Sequence, residues 1–193
     1  MIRADSLTYA YTITAAMVAI YMSTFELGLL ILFPVILLTT GIVLQIYFNK
    51  KVQVDVDTDI NDMKEIMFYS IICLAAITAT SFFVSVLPQM VPKMQLTGFD
   101  TVLFGILMAV AEEQFFRGAL LSFMLNFTIV PIAILGNAAV FMVYHLAVYG
   151  TNIATMAYVF AGGAIFAFVA YRTRRLSPCM TAHIINNILA VIV

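Results

Sequence analysis

An all-α, polytopic transmembrane helical bundle of about seven spans is the fold this sequence predicts, and composition and segment length both point to it. The chain is 64% hydrophobic and only 10% charged, with mean hydropathy +1.07, whereas an ordinary soluble domain is about 45–50% apolar and about 25% charged. Its apolar residues fall into runs near the roughly 20 residues that cross a ~30 Å hydrocarbon core as helix. Helix is expected because every backbone polar group in lipid must find its partner within its own segment.

Taken in order, the runs predict spans at 7–25, 27–48, 66–87, 99–125, 127–148, 153–171 and 178–193. Only Thr24-Phe25-Glu26 separates the first two, which implies a tight helical hairpin. The first run lacks a small-residue cleavage pattern and is followed by further runs, so it reads as a retained span rather than a signal peptide. Ser177-Pro178 suits the opening of the last helix, with Ser available to cap free N–H groups and Pro fitting the first turn.

Two polar stretches, 49–65 and 88–98, read as loops. The first contains Asp55-Val56-Asp57-Thr58-Asp59, the beginning of a calcium-loop pattern. However, Ile60 stands where the sharp turn needs Gly, and Ile66 where a bidentate Glu is required. It therefore reads as a solvated acidic loop. The chain divides into N-terminal transmembrane helices with that loop, 1–99, and a second helical part, 100–193.

Charge sets orientation and excludes partners. An N-terminus in the cytoplasm places Arg3, Lys50, Lys51, Lys64, Arg172, Arg174 and Arg175 inside and leaves Lys93 outside, as the excess of Lys and Arg in cytoplasmic loops requires. A net charge of −1 provides no basic field for nucleic acid. Cys73 and Cys179 lie in or beside apolar runs, without metal or disulfide spacing, and read as small core residues. With no large soluble domain or eukaryotic targeting segment, a prokaryotic cell membrane is the expected location.

Ionisable groups inside a span are costly and mark a functional site by default. Here they are Glu112, Glu113 and Arg117 in the fourth span, His145 in the fifth and His183 in the seventh, joined by Asn186-Asn187. Glu113 and Arg117 are four apart and can pair along one helix face. Glu112, rotated about 100° from Glu113, is the freer carboxylate. Phe141 can pack beside His145, and His183 and Asn187 point the same way from the last helix. Each feature alone has a structural explanation, as an ion pair, a satisfied core histidine or polar glue between helices. Acid, imidazole and amide groups on three separate helices are harder to explain that way.

A carboxylate and an imidazole facing one water make a general-base pair, and an Asn N–H aimed at a developing oxyanion supplies what acyl transfer also needs. One Glu and two His are equally a zinc set by ligand type, which would make Glu112, His145 and His183 the ligands. No HExxH is present, so zinc and metal-free hydrolysis both stay open. A proton-coupled transporter, with Glu112, Glu113, His145 and His183 as relay, is a rival reading. So is a catalytically idle binding protein that packs a partner helix on Ala157, Ala161 and Gly162.

Glu112-Glu113-Gln114-Phe115-Phe116-Arg117 fits EExxxR, Phe141 to His145 fits FxxxH, and His183 to Asn187 fits HxxxN. This ordered trio resembles the CAAX prenyl protease and bacteriocin-processing (CPBP, or Abi) family of intramembrane endopeptidases. The resemblance spans roughly 101–193. It implies water activation by Glu112 and His145, oxyanion stabilisation or carbonyl positioning by His183 and Asn187, and support from Glu113, Arg117 and Phe141. Its implied partners are a peptide or prenylated CAAX-type protein substrate and the lipid bilayer, while other members serve bacteriocin immunity. Straight helices counted at about 1.5 Å per residue put His145 and His183 toward opposite ends of the membrane. A break, a tilt or a later start of the fifth span is therefore expected.

Overall fold

The computed structural model describes residues 2, 4–23, 28–48, 60–84 and 98–192. It consists of helices α1 (Ser6–Ser23), α2 (Gly28–Phe48), α3 (Ile60–Val84), α4 (Phe99–Glu113), α5 (Leu121–Phe127), α6 (Val130–Tyr149), α7 (Ile153–Thr173) and α8 (Ser177–Ile192), with no strand among the described residues. A π-helical segment, Gln114–Leu120, joins α4 to α5 without a break. Within the described residues, each expected span therefore falls largely on helix. Stretches in α2, α3, α6 and α7 (Ile31–Phe48, Asp62–Phe82, Val130–Tyr149 and Ile153–Thr173) are long and apolar enough to cross a membrane. The hairpin turn 24–26, the acidic stretch 49–59 and most of the 88–98 connector lie outside the described residues.

Several boundaries differ from expectation. Residues 60–65, expected in the loop, form the first turns of α3. The fifth span begins at Val130 rather than at 127, because Thr128 and Ile129 are extended and Pro131 sits in the first turn of α6. Ser177 opens α8, and its hydroxyl donates to Asp5 Oδ2. Asp5 itself caps α1, accepting from the Thr8 backbone N–H at 2.8 Å. Arg175 also bonds Asp62 Oδ1 and lies 3.9 Å from Asp5 Oδ2. The starts of α1, α3 and α8 and the end of α7 are thereby gathered at one end of the bundle.

The apolar surface has the arrangement of a membrane protein. Large side chains such as Ile20 (69% exposed), Ile71 (64%) and Phe82 (81%) face outward, while the interior is lined with small ones, among them Ala15, Ala109, Ala111, Ala138, Ala167, Ala170, Cys73 and Cys179. Small interior residues let backbones approach where lipid offers no hydrophobic drive to associate. At Gly41 the approach is extreme, since a Cβ there would lie 2.8 Å from the backbone N of Phe115. In this way α2 packs directly on the π-helical segment. Both cysteines are free and fully buried.

Candidate active site

α4 delivers Glu112 and Glu113 to the interior at the point where its geometry changes. The Gln114 N–H is shared between the carbonyls of Val110 and Ala111, whereas the Leu121 N–H reaches back five residues to the Phe116 carbonyl. Such π-helical turns inside α-helices occur frequently at functional sites. This one carries Arg117, which is fully buried.

Arg117 is held by an ion pair, a backbone carbonyl and an aromatic ring. Its Nη1 donates to Glu113 Oε1 at 2.9 Å and its Nη2 to the Gly163 carbonyl at 3.2 Å, with the Phe141 ring centroid 4.2 Å from the guanidinium carbon. Planar, weakly hydrated guanidinium suits this combination of pairing and stacking. Glu113 Oε1 also accepts from His183 Nδ1 at 2.8 Å, so Arg117, Glu113 and His183 form one chain across the π-helical segment, α4 and α8. The His183 ring stacks on Phe166, with centroids 5.0 Å apart.

Glu112 faces the other way. Its Oε1 accepts a long hydrogen bond from the Tyr144 hydroxyl at 3.4 Å. Its Oε2 lies 3.7 Å from His183 Nε2 and 3.8 Å from His145 Nε2. His145 Nδ1 sits 2.9 Å from the Phe141 carbonyl. Carbonyl and carboxylate oxygens only accept, so both imidazoles carry hydrogen on Nδ1, and in the neutral ring Nε2 keeps its lone pair. Two ring nitrogens and one carboxylate oxygen therefore converge on a single space from α4, α6 and α8. Phe141 fixes the His145 ring from beside it, with centroids 4.3 Å apart, and Tyr149 stacks on the other side at 5.5 Å.

The structure thus brings Glu112, Glu113, Arg117, Phe141, His145 and His183 together. Asn187, one turn along α8 from His183, donates its Nδ2 to the Gly105 carbonyl of α4 at 3.0 Å. Asn186 turns elsewhere, accepting from the Tyr158 hydroxyl at 3.3 Å. Among the described residues no group of three or more His, Cys, Asp or Glu is placed to hold a metal ion. The late start of α6 shortens the count from its start to His145 by about 4.5 Å of axial rise, and α4 departs from α-helical geometry directly after Glu113.

Sequence reasoning passed over the neutral polar residues of the site. Tyr144, Asn137, Gln114 and Gln45 all bond within or onto it. Buried amides in apolar runs were the available signal, but a search for ionisable groups does not register them.

Residues 94–189 match the model of the Rce1-like type II CAAX prenyl endopeptidases. Through this region the chain is similar to the Rce1-like family. The match covers all three sequence motifs together with the π-helical turn, and stops short of α1, α2 and α3. Comparison with curated proteins and with solved structures gives no match. That match suggests intramembrane protease activity, in keeping with a chain of long apolar helices and with an integral membrane location.

Proposed function

We propose that this protein is a glutamate-dependent intramembrane endopeptidase in which Glu112 and His145 activate a water for attack on a peptide carbonyl. The observation that carries this reading is the convergence of Glu112 Oε2 with the two imidazole Nε2 atoms at 3.7 and 3.8 Å inside the Rce1-like region. Those spacings exceed a direct hydrogen bond and suit a bridging water, which can donate to two of the three acceptors. As the water oxygen bonds to the carbonyl carbon, its proton passes to Glu112 and the carbonyl oxygen becomes the oxyanion. Collapse breaks the C–N bond while that proton is delivered to the leaving amine.

Glu113 and Arg117 do not meet the water; they hold His183 in orientation. Asn has two amide N–H groups, so Asn187 can keep its bond to Gly105 and still offer one to the oxyanion. The substrate class we favour is a C-terminal CAAX-type peptide bearing a prenyl group, a chemistry that a membrane-embedded site would receive from the lipid phase. The same three acceptors are ligand types that zinc takes, so one assay should address both alternatives.

Purified protein in liposomes should cleave a prenylated CAAX peptide, with little loss on adding chelator. Glu112→Gln should remain folded but inactive, since the amide keeps the shape and loses the base. Cleavage by Glu112→Gln would refute the assignment of the base, and a loss in chelator restored by zinc would replace it with a metal centre.

A further inference from the structure

Among the described residues, the unpaired buried side-chain polar atoms are Glu113 Oε2, Gln114 Oε1, Arg117 Nε, Ser122 Oγ and Asn137 Oδ1. Four belong to the π-helical turn or its flanks. The fifth, Asn137, lies on α6 and is fully buried; its Nδ2 donates to the Phe116 carbonyl at 2.7 Å. Buried polar groups are nearly always paired, and a cluster of exceptions calls for a reason.

Asn137 is a curious choice for stability alone. The carbonyl it serves already accepts from the Leu121 N–H, so the amide rescues no orphaned group. Its own oxygen is left unpaired, at a cost that a small apolar residue would not incur. What the bond does accomplish is geometric. It ties the π-helical turn, which directly follows Glu112 and Glu113, to the helix that carries Phe141 and His145. Glu112 and His145 face each other across this junction, and the distance between them depends on how the two helices are held together.

We propose that Asn137 is a positioning residue, which pins the π-helical turn to α6 and so sets the gap between Glu112 and His145. The proposal rests on the protease reading above. Loss of the amide frees the turn to shift against α6, and a displacement near 1 Å in a reacting constellation can cost on the order of a hundredfold in rate.

The test uses the full chain in liposomes with the prenylated CAAX peptide, alongside Glu112→Gln. Asn137→Ala should lower kcat by about tenfold or more with KM nearly unchanged. Its melting temperature should stay close to that of the parent protein, because the variant removes an unpaired oxygen together with the hydrogen bond. Amide hydrogen exchange across Gln114–Leu121 should quicken in the same variant, a readout that needs no activity. Asn137→Ser retains a shorter donor and should recover part of the lost kcat; it also serves if the alanine protein fails to fold. Parental kcat in Asn137→Ala overturns the proposal. So does a parallel fall in kcat and melting temperature with no recovery in Asn137→Ser, which would make Asn137 structural glue. If Glu112→Gln cleaves normally, the protease assignment fails; if Glu112→Gln is dead while Asn137→Ala is unimpaired, the positioning role alone fails.

Discussion

Arg117 combines several interactions in one fully buried side chain, among them the Glu113 ion pair, the Gly163 carbonyl, and the Phe141 and Phe166 rings. Arg117→Ala should therefore act on stability before chemistry. Stranding a partner in a buried pair costs about 3–5 kcal/mol in general, and here the low end is expected, because His183 Nδ1 still donates to Glu113. Thermal unfolding in detergent checks this; a variant as stable as the parent protein yet inactive would give Arg117 a part in the chemistry itself. Asn187 provides the second test at this scale. If it donates to the oxyanion, Asn187→Ala should reduce kcat by about a hundredfold or more and leave KM nearly unchanged. Asn186→Ala loses only the Tyr158 contact and should retain most of its activity. Equal effects at the two positions would defeat the oxyanion role.

The π-helical segment is the element that organises the site, and helix α2 is its support. Gly41 allows the α2 backbone to touch the segment, and Gln45 accepts from Gln114 within the same contact. Gly41→Val should push α2 off the turn, because the neighbouring atoms are backbone and cannot rotate away. We expect Gly41→Val to lower the melting temperature by several degrees and to reduce activity, although residue 41 lies outside the Rce1-like match. Unchanged stability would mean that α2 is not needed to hold the turn. No periodicity marks such a turn in advance, since the apolar text of 99–125 reads as uninterrupted helix. The helix itself was legible from length and hydropathy; the change of register depends on what packs against it from α2 and α6.

At the scale of the molecule, the contacts among Asp5, Ser177, Arg175 and Asp62 gather three helix starts and the α7–α8 turn at one end. Lys64, Arg172, Arg174 and Arg175 share that end, where an excess of basic residues favours the cytoplasm. We propose that the N-terminus is cytoplasmic and that α1, the α4–α5 helix and α8 cross the membrane with the four more apolar spans. Reporter fusions in the α7–α8 turn should then report from the cytoplasm, and fusions in 150–152 from the opposite side. A turn found outside would reverse the topology.

By itself the sequence determined the membrane character, the helical class, the approximate helices and the set of ionisable residues with no ordinary place in lipid. These follow from local quantities: the hydropathy of a run, its length, and spacing along one helix. The pairing of Glu113 with Arg117 was equally legible, because residues four apart on a helix must be neighbours. Only the tertiary structure decided that Glu113 also holds His183, that Glu112 faces two imidazoles, and that Asn187 bonds Gly105. Those contacts join residues 33 to 82 positions apart, and they depend on helix tilt, on a π-helical turn and on where α6 begins. Such quantities arise from packing between helices, which no single run of residues contains.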